Sequence, residues 1–315
     1  MCFVSLGSAA TATAGVHETG DVQHFGDTVT VGINGEAEWS VDDGTEVTLD
    51  SLFIGSGVNG VGTARVSDPG TLVNLKGAQN RLGVGESGIA RLEISGGATV
   101  DGTVDPNACN GSMCNFFVGN AAGSTGNLIV TGTGSTLKTM TSFVLGGAAV
   151  FTQENDGFDF GIPGAEVHAT MEISDNAHVE SAGVNISGGP GGGSPTGNEQ
   201  SFGTVTVTGS SDWTMDQLNM SSGPNAHAEL TISDGSTVTV NNFLFVGYDR
   251  SSQPVINVDN GSLLDVDTSI ISPQPGSKRK LRIDAAAFTN RVSILPDFGE
   301  LDLVIEGGGE VSATE

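Results

Sequence analysis

The repeating pattern of this chain is clearest in Leu82-Gly-Val-Gly-Glu-Ser-Gly-Ile-Ala-Arg-Leu-Glu-Ile-Ser-Gly-Gly-Ala-Thr-Val100. This stretch holds three short runs with an apolar residue at every second position: Leu82/Val84, Leu92/Ile94 and Ala98/Val100. Alternation with period two, bounded by Gly and Ser, is typical of a strand with one buried face. No run is long enough to be stable alone. The sequence therefore predicts that this unit buries its apolar face against copies of itself.

Related units recur along most of the chain. The turn after the second run of each unit falls at positions 44, 70, 97, 134, 176, 210, 235 and 261, with spacings of 26, 27, 37, 42, 34, 25 and 26. The values near 26 indicate the basic unit, and the longer ones indicate units that carry insertions. Three strands per unit, each paired with the units before and after, predict an all-β fold. We expect one chain to form a parallel β-helix (β-solenoid) of about ten coils of roughly 26 residues.

The composition narrows the class of protein. The 315 residues include 48 Gly, and 37 Asp and Glu against 11 Lys and Arg give a net charge of −26. Such an acidic chain is not expected to bind nucleic acid, because phosphate contacts need Lys and Arg. The absence of a run of about 18 apolar residues argues against membrane insertion. The excess of acidic over basic residues fits a secreted protein that interacts with cations or neutral polymers.

The sequence divides into three parts. Residues 1–14 are interpreted as a signal-peptide remnant, since a weak apolar region precedes the plausible cleavage site Ala12-Thr13-Ala14. The repeats cover 15–272 and carry insertions at 102–115, 147–168 and 188–201. Residues 273–315 are expected to form an irregular segment plus a terminal coil. Either the chain continues beyond that coil, or the exposed edge is used for assembly.

The cysteine pattern predicts one disulfide. If Cys2 leaves with the leader, Cys109 and Cys114 remain as an even pair closing a small loop. In an oxidising compartment these two thiols are expected to pair. No metal site is predicted there, because further Cys or His ligands are not close in sequence.

Two stretches carry a resemblance to a known family. Phe53-Ile-Gly-Ser-Gly with Gly62-Thr-Ala-Arg-Val, and the Leu82–Val100 unit, resemble the repeat shared by bacterial autotransporter passengers and PEP-CTERM-associated secreted proteins. The resemblance extends over about residues 27–266. It implies a right-handed β-helix, export to the cell surface, and adhesive or structural roles rather than catalysis. The handedness rests on this resemblance alone.

The insertions are the predicted binding elements, since loops on a rigid scaffold usually carry function. The second and third insertions interrupt the same turn in consecutive coils, so we expect them to stack on one side. The candidate ligand-binding residues lie in or beside these loops and at the equivalent turn two coils later: Glu154, Asp156, Asp159, Glu166, His168, Glu199 and Tyr248. The alternative is that the insertions have no binding partner, because long insertions in surface turns cost little free energy.

The sequence offers no catalytic constellation. The Asp residues fall at the turns of the repeat, where hydrogen bonding to the local backbone explains them. His168, His178 and His227 are interpreted as scattered surface residues. No cofactor is expected beyond weak Ca²⁺ binding by acidic turns. The basic cluster Lys278-Arg279-Lys280 with Arg282 is either a solvated face or a dock for a second copy's acidic surface.

The sequence therefore predicts a non-catalytic, secreted or cell-surface module that acts as an adhesin or as extracellular matrix. The expected partners are a cell-surface glycan or protein, with self-association through the solenoid ends. The alternative is a carbohydrate-active β-helix enzyme, a polysaccharide lyase or hydrolase, that uses paired carboxylates in the acidic insertion loops.

Overall fold

The computed structural model describes residues 15–76, 81–103, 115–147, 166–187, 200–221, 225–247, 252–271, 278–284, 286–292 and 300–313. In these ranges the protein is all-β, without a helix. Consequently none of the described segments is a helix long and apolar enough to cross a membrane. The predicted leader 1–14 and the predicted disulfide Cys109–Cys114 lie outside the described residues.

The strands are short and regularly spaced. They are β1 (Val16–Gly20), β2 (Val22–Phe25), β3 (Thr28–Val31), β4 (Glu36–Val41), β5 (Glu46–Leu49), β6 (Ser51–Ile54), β7 (Val61–Val66), β8 (Leu72–Leu75), β9 (Arg81–Val84), β10 (Ile89–Ser95), β11 (Thr99–Gly102), β12 (Asn115–Val118), β13 (Thr125–Thr131), β14 (Thr136–Leu145), β15 (Val167–Ser174), β16 (His178–Ile186), β17 (Ser201–Val207), β18 (Asp212–Met220), β19 (Ala226–Ile232), β20 (Thr237–Val246), β21 (Val255–Asp259), β22 (Leu263–Ile271), β23 (Lys278–Asp284), β24 (Ala287–Val292), β25 (Glu300–Glu306) and β26 (Glu310–Ala313).

These strands form two large sheets. Sheet A has the order β1-β4-β7-β10-β13-β15-β17-β19-β21-β23-β25. Sheet B has the order β2-β3-β6-β9-β12-β14-β16-β18-β20-β22-β24-β26, and β5, β8 and β11 form a branch that joins it at β14. The described pairings are parallel except for β1 with β4 and β2 with β3. The chain thus returns to sheet A once per repeat, and each repeat lies beside the next.

The three runs of the sequence repeat correspond to three segments of backbone. The second and third segments of each repeat both belong to sheet B. In the early repeats they are separate strands, as in β8 and β9. From β14 onward they fuse into one strand: Thr136–Thr139 pairs with β11, and Ser142–Leu145 pairs with β12. The register with β16 shifts between Thr139 and Ser142. A bulge of this kind bends a strand. Each fused strand therefore still turns at the point where the earlier repeats have a corner between two separate strands.

A continuous apolar core lies between the sheets. The prediction that Leu92, Ile94, Val207, Ile232 and Val258 point inward is confirmed, since each is fully buried. The largest fully buried side chains include Trp39, Trp213, Phe116, Phe143 and Phe288. Trp213 satisfies its indole N–H by donating to the Ser181 hydroxyl at 3.1 Å. Burying each such side chain contributes roughly 1.5–3 kcal/mol to folding.

A ladder of buried hydroxyls links the corners that follow β17, β19 and β21. The backbone turns there through the left-handed region, for example at Asp234 (φ 55°) and Gly235 (φ 74°). Within the turns, the Ser211 N–H donates to the Ser236 hydroxyl, and the Ser236 N–H donates to the Ser262 hydroxyl, both at 3.2 Å. Each repeat thereby satisfies a buried donor of its neighbour. The ladder also holds successive repeats in register.

Both ends of the repeat array differ from the sequence analysis. Residues 16–25 were predicted to belong to the repeats. They form the antiparallel strands β1 and β2, which cover the first repeat. Residues 273–315 were expected to form an irregular segment plus a terminal coil, with a degenerate repeat at Leu281-Arg-Ile283. Within them β23 pairs with β21 and β24 pairs with β22 in parallel register.

Candidate functional site

Two of the predicted ligand-binding residues, Glu166 and His168, lie in the described part of the chain. Glu154, Asp156, Asp159, Glu199 and Tyr248 lie outside the described residues. His168 is an outward residue of β15, and Glu166 precedes that strand. The Glu166 Oε2 and the His168 Nε2 are 3.0 Å apart. Both side chains are about half exposed, so this pair contributes at most about 1 kcal/mol to stability.

The described residues on either side of the two large gaps are in register. Before the gaps, Leu145 pairs with Ile186, and after them Val167 pairs with Ser201. The Val167 N–H also donates to the Gln200 carbonyl at 3.0 Å. Residues 148–165 and 188–199 therefore connect equivalent points of two neighbouring repeats. The described residues that flank both segments lie beside the same lateral edge of sheet A.

The corner from which these segments leave is crowded. Gly119 has φ 63°, and a Cβ there would lie 2.5 Å from the His168 carbonyl oxygen. Gly146 has φ 72°, and a Cβ there would lie 2.9 Å from the Phe202 carbonyl oxygen. Ser187 takes the same position one repeat later with φ 59°. Its hydroxyl donates to the Ser201 carbonyl at 2.7 Å. The corner thus holds the backbone of the neighbouring sheet A strand at a fixed distance.

Three aromatic rings stack beside these connections. His168 pairs with Phe202, and Phe202 pairs with His227, at the same outward position of β15, β17 and β19. The His168 and Phe202 ring centroids are 5.0 Å apart with an interplanar angle of 5°. The Phe202 and His227 centroids are 4.8 Å apart with an angle of 8°. The spacing equals that of hydrogen-bonded strands, so the register of the sheet produces the stack.

The stack continues an outward row that we call the lateral stripe. Its members occupy one register position on consecutive strands of sheet A: Val61, Ile89, Thr125, His168, Phe202 and His227. Ile89 is 55% exposed and Val61 is 37% exposed. Exposed apolar patches commonly mark interaction sites. This apolar and aromatic row on the outer face of an acidic protein is therefore a candidate contact surface.

The stack was not predicted from the sequence, because His168, His178 and His227 were interpreted as scattered surface residues. The signal was available in the repeats. The dipeptides His168-Ala169, Phe202-Gly203 and His227-Ala228 stand three and two residues before an inward apolar residue of their strand, which is Met171, Val205 and Leu230, respectively. Aligning the insertion-bearing repeats at those inward residues places the three rings in one row. His178, by contrast, lies in sheet B, with its Nδ1 3.2 Å from the Asp212 Oδ2.

The turn carboxylates are engaged in structural hydrogen bonds. The Asp234 carboxylate accepts from the Thr208 hydroxyl at 2.8 Å and from the Asn260 amide at 3.3 Å. The Asp175 carboxylate accepts from the Thr131 hydroxyl at 3.3 Å. These bonds link neighbouring repeats. Within the described residues, no three His, Cys, Asp or Glu side chains are grouped so that they would hold a metal ion.

Two carboxyl groups have raised pKa values. Burial raises the pKa of Glu86, and the neighbouring Arg81 guanidinium partly offsets that effect. Burial also lowers the pKa of Arg81. Desolvation raises the pKa of Asp259 against the opposing charge of Arg282. Neither carboxyl lies in the lateral stripe, and both are close to a cation of their own. Desolvation accounts for both raised values, with the nearby cation acting against it, so neither shift requires a catalytic role.

An open groove of about 390 Å³ lies near the N-terminal end of the lateral stripe. It is lined by Thr19, Gly20, Glu36, Ala37, Glu38, Val61, Thr63 and Arg65. The Arg65 guanidinium forms an ion pair with Glu38 across it. The groove is shallow and mixed in polarity, so it extends the stripe rather than forming a separate pocket.

Comparisons with protein-family models, with curated proteins and with solved structures find no match for this chain. The interpretation of the site therefore rests on its own geometry.

Proposed function

We propose that this chain is a right-handed parallel β-helix that works as a non-catalytic, secreted or cell-surface module, adhesive or structural, of bacterial type. Two features support the architecture: parallel register maintained across sheets A and B, and one buried core that runs from Val29 to Phe288. With strands about 4.8 Å apart, ten coils make a rod roughly 45–50 Å long. The handedness follows the resemblance to autotransporter and PEP-CTERM-associated repeats.

The lateral stripe is the proposed contact surface, and the His168–Phe202–His227 stack is the observation that carries this proposal. Both faces of the Phe202 ring are covered by imidazoles. A partner therefore meets ring edges and imidazole nitrogens, which donate or accept hydrogen bonds. Alternating apolar edges and hydrogen-bonding groups suit the hydroxyls and C–H groups of a glycan. The charge of −26 favours a neutral or cationic partner.

The test is binding to a glycan array by matched variants. Phe202→Ser with His227→Ser removes two adjacent rings of the stripe. Thr204→Ser with Glu229→Ser changes the next outward pair on the same two strands, β17 and β19. We expect the first variant to lose at least about tenfold in affinity, or roughly 1.4 kcal/mol, and the second to bind like the unmodified chain. Equal binding by both variants contradicts the site.

A deletion tests the adjoining connection and the enzyme alternative. The deletion spans 148–165, because the Glu166 carbonyl accepts from the Gly123 N–H and Val167 is fully buried. We expect the shortened chain to fold and to lose affinity. Release of reducing or unsaturated sugar ends from a bound glycan by the full chain, but not by the shortened one, contradicts a non-catalytic role.

A further inference from the structure

The lateral stripe is a row with a regular period. Its members stand at one register position on consecutive strands of sheet A, from Val61 on β7 to His227 on β19. Neighbouring strands lie about 4.8 Å apart, so the row is about 24 Å long and runs across the strands. The ring spacings of 5.0 Å and 4.8 Å follow this period. A partner that contacts the whole row must therefore be extended and must repeat at nearly this distance.

Polar residues bound the row at both ends. Glu36 stands opposite Val61 on the preceding strand and is exposed. At the other end, the Gln253 N–H donates to the Ala226 carbonyl at 3.0 Å, which places the exposed Gln253 beside His227. The stripe thus offers six successive contact positions, one on each strand from β7 to β19.

The period of the row fits an extended sugar chain better than an extended peptide. Side chains on one face of a β-strand repeat every 6.6–6.8 Å or so, which is out of step with a row of about 4.8 Å by more than half a period after two intervals. A pyranose residue whose two glycosidic bonds are both equatorial spans nearly the distance between two strands. Chains of β-1,4-linked pyranoses have this geometry, whereas α-1,4-linked glucose chains coil.

The ring stack determines how such a chain lies. Phe202 has an imidazole on each face, so the ring edges, and not the ring faces, are presented along the row. Each sugar residue can bridge two neighbouring edges and place its hydroxyls beside imidazole nitrogens, which donate or accept hydrogen bonds. The Glu166 carboxylate lies 3.0 Å from the His168 ring. This carboxylate and the charge of −26 disfavour an anionic sugar chain.

We propose that the lateral stripe binds an unbranched, neutral, β-1,4-linked polysaccharide that lies along the row, with one sugar residue per repeat and six residues in contact. This inference rests on the glycan contact proposed above and adds the class of glycan, its direction and its length. Chains of glucose and chains of N-acetylglucosamine share the required chemistry, and the experiment compares the two.

The first measurement is isothermal titration calorimetry of the full chain with oligosaccharides of increasing length. The two neutral series, β-1,4-linked glucose and β-1,4-linked N-acetylglucosamine, run from the disaccharide to the heptasaccharide. A β-1,4-linked uronic acid series is the anionic control. In at least one neutral series, we expect the affinity to rise at least about tenfold from disaccharide to hexasaccharide. It should not rise further with the heptasaccharide, because the row has six positions.

Two matched variants test the direction of the bound chain. Ile89→Ser and Ile129→Ser make the same change at outward positions of the adjacent strands β10 and β13, but only Ile89 belongs to the stripe. Ile89 is three strand spacings, about 14 Å, from Phe202. Ile89→Ser should weaken hexasaccharide binding at least about threefold and leave trisaccharide binding at the ring stack unchanged. Ile129→Ser should change neither, and circular dichroism checks that both variants fold.

The outcomes separate this inference from the glycan contact itself. Affinity that does not depend on length, tighter binding of the uronic acid series, or equal hexasaccharide binding by the two variants overturns the inference and leaves the contact standing. Binding to glycans on the array without binding to either neutral series does the same. Binding to no glycan on the array and to no oligosaccharide overturns the contact and the inference together.

Discussion

Glu18 and His24 meet over the N-terminal end of the core, with 2.8 Å between the Glu18 Oε1 and the His24 Nε2. The two residues come from different sheets. Glu18 stands opposite the inward Trp39, and His24 stands opposite the inward Val29. Inward-pointing charges on edge strands are a known protection against edge-to-edge association. This pair therefore closes one end of the repeat array to apolar stacking.

Removing the inward pair should make the N-terminal end associate. We expect Glu18→Val with His24→Val to sediment as concentration-dependent oligomers, because two apolar side chains then continue the core ladders outward. The control is His17→Val with Thr19→Val, which adds two valines at outward positions of β1. A double variant that stays monomeric, or a control that associates equally, contradicts this role of the pair.

Asp21 should make the covering strands sensitive to acid. Its pKa is lowered, chiefly by the Asn34 backbone N–H and next by the Gln23 side chain. A carboxyl with a lowered pKa in the folded state stabilises the fold above its unfolded pKa, near 3.8, and this contribution is lost as the pH falls through the folded value.

The measurement for Asp21 is urea unfolding of the unmodified chain and of Asp21→Asn. The difference in free energy of unfolding should be largest near neutral pH. It should begin to shrink as the pH falls below the unfolded pKa near 3.8 and vanish below the lower pKa of the folded carboxyl, where that group is neutral too. A difference that does not change with pH contradicts the assignment of the stabilisation to the charged carboxylate.

Leu92→Ala should cost about 2–5 kcal/mol through lost burial and the cavity that remains. Leu92 is fully buried in β10, between Ala64 and Leu128 on the neighbouring strands. The matched control is Glu93→Ala, an outward change that should stay within about 0.5 kcal/mol. Chemical denaturation measures both, and similar values for the two variants contradict the inward assignment.

Gly119→Ala and Gly261→Ala separate close packing from backbone conformation. Both glycines have positive φ, at 63° and 75°. A Cβ at Gly119 would lie 2.5 Å from the His168 carbonyl oxygen, whereas a Cβ at Gly261 has nothing within 4 Å. Gly261→Ala should cost about 1–2 kcal/mol from the left-handed backbone alone. Gly119→Ala should cost clearly more, and equal losses of thermal stability would refute the crowding.

The sequence predicts the repeats well because each inward position carries its own signal. The Leu92/Ile94 alternation recurs in the neighbouring repeats, where Ala64 and Val66 before it and Leu128 and Val130 after it are buried, so periodicity identifies the strands. The antiparallel strands β1 and β2 were missed because Glu18 and His24 occupy inward positions where the pattern demands apolar residues. The covering strands protect an end of the repeat array and do not extend the core. They accordingly carry charged or polar residues at inward positions where the repeats carry apolar ones.

The site was less predictable than the fold. His168 and Glu166 were found because they border an insertion. Phe202 and His227 were not, because a stack depends on register between strands 25 or more residues apart. Outward positions follow no apolar rule, so only alignment of the strands brings these side chains together. The irregular length of the insertions hid that alignment.

The architecture is tested most directly by spin-label distances along one outward row of sheet A. Arg65, Thr206, Thr231 and Asn257 occupy the same register position on β7, β17, β19 and β21. Arg65 is separated from the other three by four, five and six strand spacings. With the three native cysteines replaced by serine, label pairs formed with position 65 should lie about 19, 24 and 29 Å apart. Distances that rise in equal steps of about 5 Å support stacked parallel coils; distances that do not rise in this order contradict them.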